Sequence, residues 1–194
     1  MSEPVNVFAK NTPAQTEQAR RLQAFAARVH AANAKWWVDL ETNKRITRNV
    51  GELLMLVTSE LSEAMEGHRK NLLDDHLSTR KMFEVELADA VIRLLDIAGG
   101  MNLTFQGRAA HYEFTDNTAE NLLRIVEQLL KAYRDAAMSH LFVLRIETSI
   151  VMIQRLAHNE GLDLWSAFEE KMNYNAVRAD HQHDARRQAD GKKY

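Results

Sequence analysis

The chain has no cysteine, which removes disulfides, thiolate zinc sites, iron–sulfur clusters and a cysteine nucleophile. Any metal it binds must therefore rest on oxygen or imidazole. Long apolar runs are missing too. No stretch reaches the roughly 18 residues of a membrane span, and the opening MSEPVNVFAKNTPAQ lacks the apolar core of a signal peptide. The expectation is a cytoplasmic protein with no membrane partner. Neither charge sign dominates, with 25 Lys plus Arg against 27 Asp plus Glu and a net charge of -2, so bulk electrostatics does not call for nucleic acid. Proline and glycine are scarce, at 2 and 7 residues, which leaves few breaks in regular structure.

What remains is a chain of 194 residues, 45% of them hydrophobic, enough for one sizeable core and too short for two ordinary domains. Apolar residues recur at three-to-four spacing, which predicts an all-α helical bundle with helices at roughly 14–36, 49–69, 80–99, 117–137, 140–160 and 163–179. Asn49 is placed to cap the second helix, with Glu52 reaching back in a capping-box variant. Gly99-Gly100 is expected to stop the third. The fifth, LFVLRIETSIVMIQRLA, is rich in β-branched residues but is longer than a usual strand. Between helices three and four, TFQGRAAHYEF has no clear period. A single domain over 14–180 is expected, with a mobile polar tail at 181–194.

Glu-x-x-Glu alone says little, because residues three apart are neighbours on any helix. Position on the helical wheel is more informative. Glu60 falls inside the apolar arc set by Leu53, Val57, Leu61 and Ala64, and Glu63 lies beside Leu56, whereas Glu66 lies on the polar side. Glu86 and Asp89 repeat the placement at the edge of the stripe formed by Phe83, Leu87, Ala90, Leu94 and Ile97. Carboxylates on a buried flank need cations or hydrogen-bond donors, and four facing one another across two antiparallel helices repel. A hard, oxygen-seeking divalent cation resolves that conflict, and magnesium is the natural occupant. The competing reading is ordinary ion pairing, with Asp89 on Arg93, Asp96 joining from the other side, and Glu60 and Glu63 meeting basic residues elsewhere. A di-iron bundle is disfavoured because no Glu-x-x-His occurs. Glu113 and Asp116 match Glu-x-x-Asp but lie in the aperiodic segment, a chance match.

On the sixth helix, capped by Asp163, the apolar line begun by Leu164 and Phe168 continues as Lys171, Asn175 and Arg178. Such a face points donors at an anion, and phosphate suits them. An exposed, frayed helix end is the alternative. Trp36 and Trp37 close the first helical stretch, with Trp36 aligned on Phe25 and Val29, and packing in the core or at a subunit contact competes with stacking on a base. His181 and His183 lack a third ligand and read as solvated.

In combination, Glu60-Leu-Ser-Glu63, then Glu86-Leu-Ala-Asp89, then Lys171 with Asn175 and Arg178 resemble the all-α nucleoside triphosphate pyrophosphohydrolases, MazG-like proteins especially. GELLMLVTSELSEAMEGHRK, FEVELADAVIRLLDIAG and LWSAFEEKMNYNAVRADH look like MazG-like segments, as does the tryptophan pair before the first motif. The resemblance implies a four-helix catalytic core. It implies magnesium, for which manganese can stand in, on Glu60, Glu63, Glu86 and Asp89, with Lys171, Asn175 and Arg178 near the phosphates and Trp36 and Trp37 as substrate-binding candidates. Glu60, the most deeply placed, is the candidate to orient the attacking water. The implied substrate is a nucleoside triphosphate, deoxy and non-standard ones included, and the implied assembly a homodimer or homotetramer. The stretch from 101 to 160 is longer than the smallest members need. A nucleotide-binding or regulatory bundle without turnover is the alternative function.

Overall fold

The computed structural model describes residues 11–188 and 191–192, and among these every regular element is helical. The order is α1 Pro13–Asn33, a 3-10 turn Ala34–Trp37, α2 Val50–Lys70, α3 Met82–Gly100, α4 Thr118–Arg134, α5 Ser139–Asn159, α6 Leu164–Val177, a second 3-10 turn Ala179–His181 and α7 His183–Arg186. All six expected helices form. The first is shorter than expected, because the chain tightens into the 3-10 turn at Ala34 and carries both tryptophans off the α1 line. Trp36 therefore does not align with Phe25; it is Trp165 that stacks there, with ring centroids 4.9 Å apart.

α3 is the axis of the molecule, packing against α1, α2, α5 and α6. Its sequence explains the position. Val85, Leu87, Ala88, Ala90, Val91, Leu94, Leu95 and Ala98 are all fully buried, so the helix is buried nearly all round rather than along one stripe. Small residues let neighbours close in. A Cβ at Gly99 would sit 2.4 Å from the Cβ of His30, and one at Gly100 would sit 2.2 Å from the Trp37 ring. The two glycines thus lie within α3 to admit α1 and the 3-10 turn; the left-handed residue beyond the helix is Asn102, at φ 54°.

Asn49 caps α2 as expected, accepting from the Glu52 amide at 3.1 Å. Glu52 does not complete the box, because its carboxylate takes the Arg48 guanidinium at 2.8 Å. The aperiodic segment after α3 is held down by α5: Glu147 accepts from the Gln106 amide at 3.0 Å, and Thr148 Oγ1 from that of Ala110 at 3.0 Å. Those bonds satisfy backbone that Leu103 and Phe105 drag into the core. Glu113 and Asp116 stay exposed in that segment.

The polar tail differs most from expectation. Its described part folds back onto the molecule through the second 3-10 turn and α7. Arg186 is buried, lies 3.9 Å from the Trp36 ring centroid and donates to the Lys35 carbonyl at 2.7 Å. Residues 189–190 and 193–194 of that tail lie outside the described residues.

Candidate functional site

Two features set the geometry of the site. α2 and α3 run antiparallel, which brings Glu60 and Glu63 opposite Glu86 and Asp89. α6 is then fixed beside α3 by a network at their N-terminal ends. Arg80 pairs with Glu84 at 3.0 Å and with Glu170 at 2.8 Å, while the Asp163 amide donates to the other Glu84 oxygen at 2.6 Å. The Asp163 side chain caps α6 at the Ser166 amide. About two turns along, that alignment delivers Lys171 to Asp89, with Nζ and Oδ2 at 2.9 Å.

These side chains line a cleft of about 360 Å³ that contains Glu60, Glu63, Glu86, Asp89, Lys171, Asn175, Arg178 and Trp36. Trp37 is the exception among the expected site residues. It is buried in the core, and its indole N–H donates to Asp96 at 3.0 Å, so it packs and does not face the cleft.

Glu60, Glu63 and Glu86 each offer a carboxylate oxygen within 4.8 Å of the others, an arrangement that could hold a metal ion. Glu60 and Glu86 are buried and Glu63 is exposed at the mouth. Asp89 stands beside this cluster with its carboxylate on Lys171. The competing ion-pair reading holds in part: Glu60 does meet a basic residue, Arg93, whereas Asp89 takes Lys171 and not Arg93, and Asp96 accepts from His30 at 2.9 Å and from Trp37. Arg93 leaves Asp89 because Lys171, brought in by α6, is already there.

The electrostatics are those of negative charge crowded out of water. Burial, then the Asp89 and Glu60 carboxylates, push the Glu86 carboxyl up to about 9. Asp89 is pushed up by burial to about 6, although Lys171 pulls the other way. Glu63 is raised by partial burial and then by Glu60. Lys171 is 2% exposed, and burial alone would lower its pKa; Asp89 outweighs that and holds it above the ordinary lysine value. The same crowding that raises these carboxyls is the condition under which the cluster could hold a divalent cation. On the cationic side Asn175 turns a buried Oδ1 without a hydrogen-bond partner among the described residues.

Among the lining residues that sequence reasoning did not place are Arg48, His76, His181 and Lys192. None lies on a periodic helix, so no wheel could place them. His181 is not solvated: it meets Trp36 edge-on with centroids 5.2 Å apart, and burial followed by the Lys192 and Arg178 charges depresses its pKa to about 4. His183 is exposed, as expected, and its ring meets the Leu40 carbonyl at 3.1 Å. Comparison with family models, curated proteins and solved structures finds no match.

Proposed function

We propose that the protein is a cytoplasmic, magnesium-dependent nucleoside triphosphate pyrophosphohydrolase of the MazG-like kind, converting a nucleoside triphosphate to the monophosphate and pyrophosphate. One observation carries the reading: three carboxylates with oxygens within 4.8 Å share a cleft with Lys171 and Asn175. An acidic pocket alone repels nucleotides and a basic pocket alone needs no carboxylate cluster, whereas their juxtaposition fits a metal-bridged polyphosphate. α1, α2, α3 and α6 make the four-helix catalytic core in this reading.

Magnesium, or manganese in its place, would rest on Glu60, Glu63 and Glu86 with Asp89 beside them, and would supply neutralisation of the triphosphate charge. Lys171 gives up Asp89 to meet a phosphate oxygen, which returns the Asp89 carboxylate to the cluster. Asn175 presents its amide to the same phosphates. Glu60, anchored by Arg93, orients the water that attacks the α-phosphorus. Trp36 borders the cleft as a wall for the nucleoside.

A second reading is a bundle that binds nucleotide without turnover, favoured by the Lys171–Asp89 pair, which already neutralises one of the four carboxylates. A pyrophosphate-release screen with magnesium over standard and modified nucleoside triphosphates separates the two. Release that disappears with EDTA is expected from the enzyme; saturable binding without release for every nucleotide tested would select the binding bundle.

A further inference from the structure

Beyond the carboxylates the cleft has a second charged end. Arg178, just past α6, and Lys192, far along the returning tail, both line it. Both are held by one carboxylate: Arg178 Nε donates to Asp180 Oδ1 at 2.7 Å, and Lys192 Nζ meets Asp180 Oδ2 at 2.8 Å. Asp180 is outside the cleft lining. From these contacts we infer that Arg178 and Lys192 form a separate subsite for the far end of a polyphosphate chain, and that Asp180, holding both cations from outside the cleft lining, is the internal competitor that a phosphate displaces. The inference rests on the polyphosphate substrate proposed above; to Arg178, which the resemblance already sets near the phosphates, it adds Lys192 and the competing Asp180.

The local construction is directed at placing Lys192. Arg186 is buried against Trp36, and the chain returns over it through Gly191, whose amide donates to the Gln188 carbonyl at 3.0 Å. A Cβ at Gly191 would lie 2.4 Å from the Arg186 carbonyl oxygen, so only glycine permits the return. Trp36 thus supports both the cleft wall and the segment that brings the lysine.

Charge and geometry then favour exchange. Lys192 and Asp180 are each 44% exposed, and ion pairs this open hold their partners weakly. A terminal phosphate offers about two charges and three acceptor oxygens, against one charge and two oxygens on aspartate, and it matches the guanidinium fork. Asp180 is ionised throughout the neutral range: burial would raise its pKa, but the two cations outweigh that and hold it at about 2. Arg178 follows Lys171 by seven residues, about 10 Å along a helix. That backbone offset, with both residues lining one cleft, suits a chain of phosphates running from Lys171 toward Arg178.

The test is calorimetric titration of inorganic tripolyphosphate, with magnesium, into the full chain and its Lys192→Met and Asp180→Asn variants, altered at an exposed and a half-buried position. Lys192→Met should weaken binding about tenfold, the scale of one lost charge-assisted contact. Asp180→Asn should tighten it several-fold by removing the competitor. Equal affinity in all three, or weaker binding by Asp180→Asn, overturns the subsite. Pyrophosphate release measured alongside separates the two readings. Turnover with no affinity differences defeats the subsite alone, while the expected pattern without turnover defeats only the enzyme reading.

Discussion

At the scale of single residues, the protonation of the carboxylates is the most direct consequence of their burial. Glu86 is raised from an ordinary 4.5 to about 9 and Asp89 from 3.8 to about 6. A folded-state pKa above the unfolded one means that the native protein binds the extra proton. The contribution to stability is therefore present below the unfolded pKa and is lost as pH rises toward the folded value. In EDTA, the melting temperature should fall between about pH 5 and pH 9 on account of this site. Magnesium should flatten that slope, because it takes over the role of the protons. Magnesium binding at pH 7 should accordingly release about one proton per ion, read as a dependence of the calorimetric heat on buffer ionisation enthalpy. A heat that is the same in every buffer would mean that Glu86 is ionised without metal.

Elements decide how these residues meet, and here the legibility of the sequence was uneven. The helices, the Asn49 and Asp163 caps and the inward placement of Glu60 and Glu86 follow from periodicity, because apolar spacing and capping are local physics. Lys171 shows where local reading stops. Its wheel position was right, but its partner depends on how α6 docks, and the Arg80–Glu84–Glu170 network that docks it joins residues some 80 to 90 positions apart. The loop-borne His76 and the tail-borne Lys192 carried no local signal at all, and the tail looked solvated because its one deep anchor, Arg186, is a charged residue.

This packing changes what substitutions should do. Lys171→Met, harmless at an exposed helix end, here leaves Asp89 facing Glu60 and Glu86 without its counter-ion. It should cost about 3 kcal/mol, the lower end of the range for breaking a buried pair, and magnesium should restore part of that loss. Unchanged denaturant midpoints with and without the ion would return Lys171 to the solvated reading. Gly100→Ala forces a methyl into the Trp37 ring and should destabilise by about 1–3 kcal/mol. A fully stable Gly100→Ala protein would contradict the close approach of the 3-10 turn to α3.

At the scale of the whole molecule, α4 leaves an apolar surface uncovered among the described residues. α4 buries Leu122, Ile125 and Leu129 on its inner side yet carries Leu123, Leu130 and Tyr133 exposed on another, with Met55 of α2 also exposed. Tyr133 lies against the start of α2 at Gly51, which joins the two helices into one face. Two apolar stripes on one helix suit a partner on each side, and the homodimer or homotetramer that the family resemblance implies would use the outer one. Light scattering should then give a multiple of the 22.2 kDa chain mass, and Leu130→Glu should reduce it. A wild-type monomer would refute that assignment.

The cleft unites this scale with the others, since α2, α3, α6 and the returning tail each contribute charge to it. The reaction assigned to it fixes where the attacking oxygen must end. Turnover of a nucleoside triphosphate in ¹⁸O-labelled water with magnesium, followed by mass analysis of both products, measures that directly. The account predicts one labelled oxygen on the nucleoside monophosphate and none on the pyrophosphate, with the activity lost in Glu86→Gln. Label in orthophosphate released beside a diphosphate, or turnover undiminished in Glu86→Gln, would contradict it.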